Sequence, residues 1–391
     1  MRIERRGTGL AVALIAATLC AIGSDGLARR HRAEPRPENT VADNPGLVIG
    51  EFRLARKAVL DGDTIRVVGL PKTLRLIGID TEETFKHEED RREAQQDFQA
   101  YLRRKRGDSP HPVKAGTPLG EEARRFAEAF FRDVDTVRLE RDHPKEIRGY
   151  YGRFLAYVFA QKDGRSVNYN LEVVRAGLSP YFTKYGYSRR FHEEFVKAQQ
   201  EAQAARRGIW DPRLQHYDDY EERIAWWNSR ADFLREAERE EAQRDDLVIL
   251  TRWDARVRLR ALIGREAVVV GSVGRVVTKD RVTLVLLARR KTEDFPLVFF
   301  DRQVFERSRI AEHVGEYVRV QGRVRLYQDP RRPDQEVIEM VVARPEDVRA
   351  AKTPQKAADS ESGGAAEAVA AAEFPSRWSR HPVRAAAGPR F

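Results

Sequence analysis

Four carboxylates, Asp61, Asp63, Asp80 and Glu83, bracket a single arginine, Arg75, within one short stretch of the chain. Asp61-Gly62-Asp63 lies between two apolar, β-branched runs, Val59-Leu60 and Thr64-Ile65, and Asp80 and Glu83 follow the next run, Leu74-Arg75-Leu76-Ile77. An Asp-Gly between such runs predicts a hairpin turn. Folding then brings the ends of the stretch together. Clustered carboxylates suit a hard cation, which takes oxygen ligands. An arginine beside them suits a phosphate, whose oxygens match its paired N–H donors. A cation site, a phosphate clamp and a carboxylate able to take a proton point to phosphodiester hydrolysis. Taken singly the residues have plainer readings: Asp61 as a turn residue, Asp63 and Asp80 as turn and cap residues.

The elements that must position these groups can be traced in order. Strand patterns begin at about residue 47, with Leu47-Val48-Ile49 and Phe52 through Val59, then Thr64 to Val68 and Thr73 to Ile79. Residues 84–118 read as an insert, with a possible helix over Arg91–Leu102, a basic run Arg103-Arg104-Lys105-Arg106 and a Pro- and Gly-rich end. It is either a solvated surface loop or a basic lid that touches substrate phosphates. Ala123, Phe126, Ala127 and Phe130 recur at helical spacing within Glu121–Arg132. Thr136–Glu140 reads as a strand, and Tyr151-Gly152-Arg153 as a tight turn that starts another. Asn170–Ala176 reads as a helix with Gly177 as its C-cap. Tyr181, Phe182, Tyr185 and Tyr187 follow in a loop with Lys184; the three tyrosines either pack that loop or stack on bases. Phe191, Phe195, Ala198 and Ala202 make a further amphipathic helix, closed by Gly208-Ile209-Trp210.

Residues 50–210 resemble the staphylococcal nuclease (thermonuclease) family. The resemblance rests on Asp61-Gly62-Asp63-Thr64, Arg75-Leu76-x-x-x-Asp80-Thr81-x-Glu83, Gly120-Glu121-Glu122-Ala123, Tyr151-Gly152-Arg153-x-Leu155-Ala156-Tyr157, Arg175-Ala176-Gly177-Leu178 and Ala205-Arg206-Arg207-Gly208-Ile209-Trp210, in the family's order. It implies a five-stranded OB-type barrel with three helices. It also implies calcium bound by the carboxylates of Asp63 and Asp80 and the main-chain carbonyl of Thr81. Glu83 would be the general base, and Arg75 and Arg153 would hold the phosphate. The cleaved bond would be that to the 5′-oxygen, leaving a 3′-phosphate. The sequence departs from the family at Glu82, where proline is usual, so that Glu82 could perturb Glu83 or add metal affinity. Gly149 and Tyr150 replace a usual acidic residue and lysine, Thr183 replaces one of two nucleotide-site tyrosines while Tyr185 keeps the other, and the insert is long.

Beyond the nuclease-like part, 213–256 reads as a connecting helix with an apolar stripe of Ile224, Trp227, Ala231 and Leu234. Residues 257–349 read as a second β domain in the order β-β-β-α-β-β, that of an OB-fold barrel. Its resemblance to small OB-fold nucleic-acid-binding domains rests on Gly271-Ser272-Val273-Gly274 and the alternating Val318 to Val324. Arg319, Arg323 and Arg325 share one face of that strand, where they could track a phosphate backbone or simply meet solvent.

The 391-residue chain carries 71 basic and 61 acidic residues, a net charge of +10 that favours polyanionic partners. Arg2, Arg5 and Arg6 precede an apolar run, Leu10–Ile22, which reads as a signal peptide over 1–23 followed by a linker over 24–46. Cys20, the one cysteine, lies within it, so export would impose no disulfide. Residues 350–391, rich in Ala, Ser and Gly, read as a disordered tail. The expectation is a mainly β, α+β chain: nuclease-like domain over 47–212 with its insert 84–118, helical linker, second OB-fold-like barrel. It is read as an exported, calcium-dependent nuclease acting on DNA or RNA, with an accessory nucleic-acid-binding domain and an uncleaved N-terminal anchor as the other localisation. The alternatives are a catalytically inactive nucleic-acid-binding protein and a cell-envelope interaction module.

Overall fold

The computed structural model describes residues 46–351, apart from 147, 150, 280, 281, 289–293, 330 and 331. The expected leader 1–23, nearly all of the linker 24–46 and nearly all of the tail 350–391 lie outside the described residues. No helix among the described residues is long and apolar enough to cross a membrane.

Strand β1 (Val48–Asp61) turns at Gly62 into β2 (Thr64–Val67), with Asp61 opposite Thr64. Strand β3 (Arg75–Leu76) returns alongside β2: the Leu74 amide donates to the Ile65 carbonyl at 2.8 Å and the Leu76 amide to that of Asp63 at 3.3 Å. The expected strand Thr73–Ile79 is this short because Gly78 takes φ +76°, and the Phe195 ring fills the place its Cβ would need. Two helices follow, α1 (Glu88–Gln96) and α2 (Phe98–Arg106). Together they replace the single helix expected over Arg91–Leu102, because Asp97 is extended and its side chain caps α2 through the Ala100 amide at 2.9 Å. Ala94, Phe98, Tyr101 and Leu102 are buried, so this part of the insert is packed structure rather than a solvated loop.

Helix α3 (Pro118–Phe130) starts with Thr117 as cap and Pro118 in its first turn, and buries Leu119, Ala123 and Ala127. Strands β4 (Thr136–Glu140), β5 (Leu155–Lys162) and β6 (Arg165–Asn168) follow. β1 pairs with β4, β4 with β5, and β5 runs parallel to β3 through Leu76 opposite Ala156. With the β2–β3 bonds this gives a ring in the order β1-β2-β3-β5-β4. Ile65, Leu74, Leu76, Leu139, Ala156 and Val158 are fully buried, as every second residue of such strands should be. Helices α4 (Tyr169–Arg175) and α5 (His192–Ala204) complete this part.

The stretch 213–256 holds more than a helix. α6 (Tyr220–Glu241) is followed by strand β7 (Leu247–Ile249), which joins the second sheet, and by the start of α7 (Ala255–Ala261). Then come β8 (Glu266–Lys279), β9 (Val282–Ala288), β10 (Phe295–Phe299), α8 (Arg302–Ser308), β11 (Tyr317–Asp329), β12 (Arg332–Val341) and β13 (Val348–Ala350). The one helix of the expected β-β-β-α-β-β order, α8, ends at Ser308; Arg309 takes φ +55°, and a 3-10 turn follows over Ile310–His313. β8 pairs with β9, β9 with β10, β10 with β12 in parallel, β12 with β11, and β11 back onto β8. The two rings therefore share one strand order.

Candidate active site

The Asp61–Asp63 turn is held down from both sides. A Cβ on Gly62 would lie 2.7 Å from the Ala123 Cβ and 2.8 Å from the Thr81 Cγ2, so only glycine lets the turn seat on α3. The Tyr169 hydroxyl donates to the Gly62 carbonyl at 2.7 Å. Arg75 on β3 sends its guanidinium to the carboxylates of Asp63 and Asp80, one N–H group to each. The Asp80 amide donates to Ser179 Oγ at 2.8 Å, tying the carboxylate loop to the segment after α4. Glu83 is fixed through its carbonyl, which accepts from the Thr117 amide at 3.0 Å and packs directly on Gly120.

These elements enclose an open cleft of about 300 Å³, lined by Asp61, Asp63, Arg75, Asp80, Glu83 and Arg153 together with Lys114, Lys184, Tyr185, Phe182, Trp226 and Trp227. Of the residues singled out in the sequence, Asp63, Arg75, Asp80, Glu83, Arg153, Lys184 and Tyr185 meet there. Thr81 lies just behind, 2% exposed, and its Oγ1 is buried with no hydrogen-bond partner among the described residues. The Arg153 guanidinium makes no hydrogen bond or ion pair among the described residues and so faces the cleft with its donors unspent. Lys184 lies over the Trp226 ring, its Nζ 4.2 Å from the centroid, and Tyr185 is largely exposed at the rim. Thr183, in place of a second tyrosine, is buried and donates to Asn228 Oδ1 at 2.8 Å.

Arg319, Arg323 and Arg325 lie on β11, apart from this cleft. Arg319 is paired with Glu240 at 2.5 Å and Arg325 with Glu339 at 2.5 Å; Arg323 is exposed. Two of the three cations expected to follow a phosphate backbone are thus already spent on acids of the chain.

Glu82 does not take the role its position beside Glu83 suggested. Its side chain turns inward, 1% exposed, away from the cleft. It accepts from Thr117 Oγ1, from the Tyr217 amide at 2.7 Å and from the Tyr220 hydroxyl at 2.9 Å. Burial pushes its carboxyl above the usual range against these donors. It is an anchor beneath the insert and α6 rather than a metal ligand.

The sequence reading missed Lys114, Arg223, Trp226 and Phe182 as cleft residues. Three of the four cations in the insert's basic run are spent elsewhere, Arg104 on Glu93 and Asp90, Lys105 on Asp90, Arg106 on Glu222 and Asp219. Two other insert cations reach the carboxylates: Lys86 pairs with Glu83 Oε2 at 3.1 Å, and Lys114, from the Pro- and Gly-rich end, lines the cleft itself. Its Nζ lies 2.8 Å from Asp80 Oδ1, 3.2 Å from Glu83 Oε1 and 4.0 Å from Asp63 Oδ2. Nothing in a segment without periodicity pointed to it.

Charge governs the cleft. Burial alone would raise the Asp80 carboxyl, but Lys114 and Arg75 bring it down to about 2. Burial, then the charges of Asp63 and Glu83, push Asp61 up to about 7. Burial, then Arg230, lowers Lys184 to about 8. The Asp61 shift is first a consequence of burial, to which the neighbouring carboxylates add. Among the described residues no three His, Cys, Asp or Glu side chains are grouped to hold a metal ion. The donors nevertheless fit a hard cation: Asp63 and Asp80 supply oxygen only, and the Lys114 ammonium stands among them as a positive charge already does.

Residues 73–212 match the family described as staphylococcal nuclease homologue. The chain is 32% identical over 155 residues to the thermonuclease of Staphylococcus hyicus, covering 39% of this chain and 72% of that protein. It is 30% identical over 154 residues to an SPbeta prophage-derived endonuclease of Bacillus subtilis, 39% of this chain and 41% of that protein. With the thermonuclease of Staphylococcus intermedius it shares 27% over 204 residues, 52% of this chain and 94% of that protein.

Proposed function

We propose, from the premise that the chain belongs to the staphylococcal nuclease homologue family, that it is a calcium-dependent nuclease that hydrolyses phosphodiester bonds of DNA or RNA and leaves 3′-phosphates. The observation that carries the reading is the convergence of Arg75, Glu83 and the unspent Arg153 on one cleft with Asp63 and Asp80.

The chemistry follows from those side chains. Glu83, half-buried at the rim, takes a proton from water as the water oxygen bonds to phosphorus. The bond from phosphorus to the 5′-oxygen breaks, and that oxygen leaves with a proton from solvent. The phosphorus centre gains negative charge on the way, and the guanidinium groups of Arg75 and Arg153 meet it with paired donors. Asp63 and Asp80, with the Thr81 carbonyl, would hold the calcium ion. When bound, that ion supplies Lewis-acid stabilisation of the phosphate oxygens. The exposed Tyr185 ring offers a stacking face for a base beside the reacting phosphate.

The second ring, with its parallel third and fifth strands and its helix between third and fourth, we read as an accessory OB-type barrel that retains nucleic acid. Export rests on the N-terminal segment 1–23 alone. The alternative, an inactive binder that keeps the nuclease fold, is favoured by the Lys114 ammonium lying among the carboxylates. Cleavage of single-stranded DNA and RNA by the purified full chain, in calcium and in chelator, with end-group analysis, separates the two. Calcium-dependent cleavage to 3′-phosphates supports the enzyme. Binding without cleavage supports the alternative.

A further inference from the structure

We propose that Lys114 is a tethered cation that competes with the divalent ion for the carboxylate cluster and so sets the calcium concentration at which the site fills. The inference rests on the calcium-dependent reading above and concerns how that ion gains its place.

The segment bearing Lys114 is built, residue by residue, to present it. The Arg223 guanidinium donates to the Val113 carbonyl at 2.5 Å on one side of Lys114. On the other, the Ala115 amide donates to the Tyr217 hydroxyl at 2.9 Å and the Ala115 carbonyl accepts from it at 2.7 Å. The Tyr101 hydroxyl donates to the Gly116 carbonyl at 3.0 Å. Upstream, the His111 ring stacks on Trp226, 4.4 Å between centroids and nearly parallel. Four side chains, Tyr101 from the insert's own helix, Tyr217 from the segment beyond α5 and Arg223 and Trp226 from α6, thus hold a strap of backbone over the cleft. A surface lysine that met carboxylates by chance would need none of this.

What the strap presents is a charge of the right sign in the right place. The Lys114 ammonium touches Asp80 and Glu83 and stands 4.0 Å from Asp63. A hard cation bound by Asp63 and Asp80 would need that same volume and those same oxygens. Both cannot be accommodated, since like charges within contact distance repel strongly in a partly desolvated cleft. The backbone is pinned, but the side chain is about two-fifths exposed and has four rotatable bonds. It can therefore leave by rotation into solvent, without the strap moving. The ion then gains the carboxylates only after the ammonium has given up its contacts, and the measured affinity is lowered by that amount. The ordered strap makes Lys114 a standing competitor, present at every encounter with the ion.

The test is calcium binding by the full chain, measured by titration calorimetry, for wild type, Lys114→Met, Lys114→Gln and Lys114→Arg. Each variant's fold is checked by its melting curve. The two uncharged variants should bind calcium at least about tenfold more tightly than wild type, the loss of one unit charge at contact distance being worth that much or more. The Lys114→Arg protein, which keeps the charge, should stay near wild type. Calcium should also raise the melting temperature of Lys114→Met more than that of wild type. Met and Gln variants that bind calcium no more tightly than wild type, while cleavage remains calcium-dependent, overturn the competition and leave the nuclease reading intact. Four proteins that bind no calcium overturn the calcium reading and the competition with it.

Discussion

The Tyr220 hydroxyl donates to Glu82 Oε1 at 2.9 Å, while the next carboxylate along the chain, Glu83, faces the opposite way into the cleft. Two adjacent acids thus divide the work: one fastens the carboxylate loop to the helix that leads to the second ring, the other meets substrate. Glu82→Ala should leave the Thr117 hydroxyl, the Tyr217 amide and the Tyr220 hydroxyl buried without this acceptor. The expected cost is about 3 kcal/mol of stability or more, from three unpaired buried donors at about 1–3 kcal/mol each. Denaturant unfolding reads it, and the protein that remains folded should keep its cleavage rate. A variant as stable as wild type would contradict the anchoring role.

Gly120 is the place where α3 touches the loop. A Cβ there would lie 2.0 Å from the Glu83 carbonyl oxygen, with backbone on the other side of the contact. Gly120→Ala should push Glu83 out of position. Overpacking of this kind costs about 1–3 kcal/mol, and the cleavage rate should fall further than stability alone explains. Parallel unfolding and rate measurements check it.

The Arg153 guanidinium makes no hydrogen bond or ion pair among the described residues, so its removal should be silent in stability and loud in rate. Arg153→Ala should melt within a degree or two of wild type, as surface substitutions away from packed features do. Its turnover should fall by about 10²–10³-fold, the usual loss when one donor to a developing negative charge is removed. Lysine at this position should restore part of the rate, since it keeps the charge but not the paired donors.

The lowered Lys184 gives a pH signature. Burial holds its folded-state pKa at about 8, below the ordinary 10.5, so the ammonium is present below pH 8 and lost above it. A lysine lowered in the folded state costs stability while it is charged in both states. Its contribution therefore improves as pH rises from about 8 towards 10.5. Attraction for a phosphate chain moves the other way and weakens above pH 8. Substrate affinity should fall between pH 7.5 and 9.5 in wild type, and this fall should flatten in Lys184→Arg, as a titration of binding at each pH would reveal.

Much of this was legible in the sequence because it is local. The Asp-Gly turn, the helix face of Ala123 and Ala127, the Tyr-Gly-Arg entry to β5 and the glycine after α4 each follow from turn chemistry or periodicity within a few residues. What could not be read depends on partners far along the chain. Glu83 is the expected base, but whether Glu82 beside it perturbs it or adds metal affinity is not legible until Tyr217 and Tyr220 are seen to claim the Glu82 carboxylate. Lys114 sits in a segment with no periodicity, and its meaning lies in Asp80 and Glu83. Arg325 alternates with buried residues as an exposed cation should, yet it faces Glu339 directly across the strand pair. Gly78, an ordinary residue of an apolar run, ends β3 early because Phe195 occupies its open side.

The central claim, that Glu83 takes the proton from the attacking water, is tested most directly by the cleavage rate of Glu83→Gln on single-stranded DNA in saturating calcium, beside wild type. The amide keeps the shape and loses the base. The account predicts a fall of about 10²–10⁴-fold, the usual contribution of a general base, with the melting temperature unchanged. A Glu83→Gln protein that cleaves within about threefold of wild type, far short of that contribution, would contradict it.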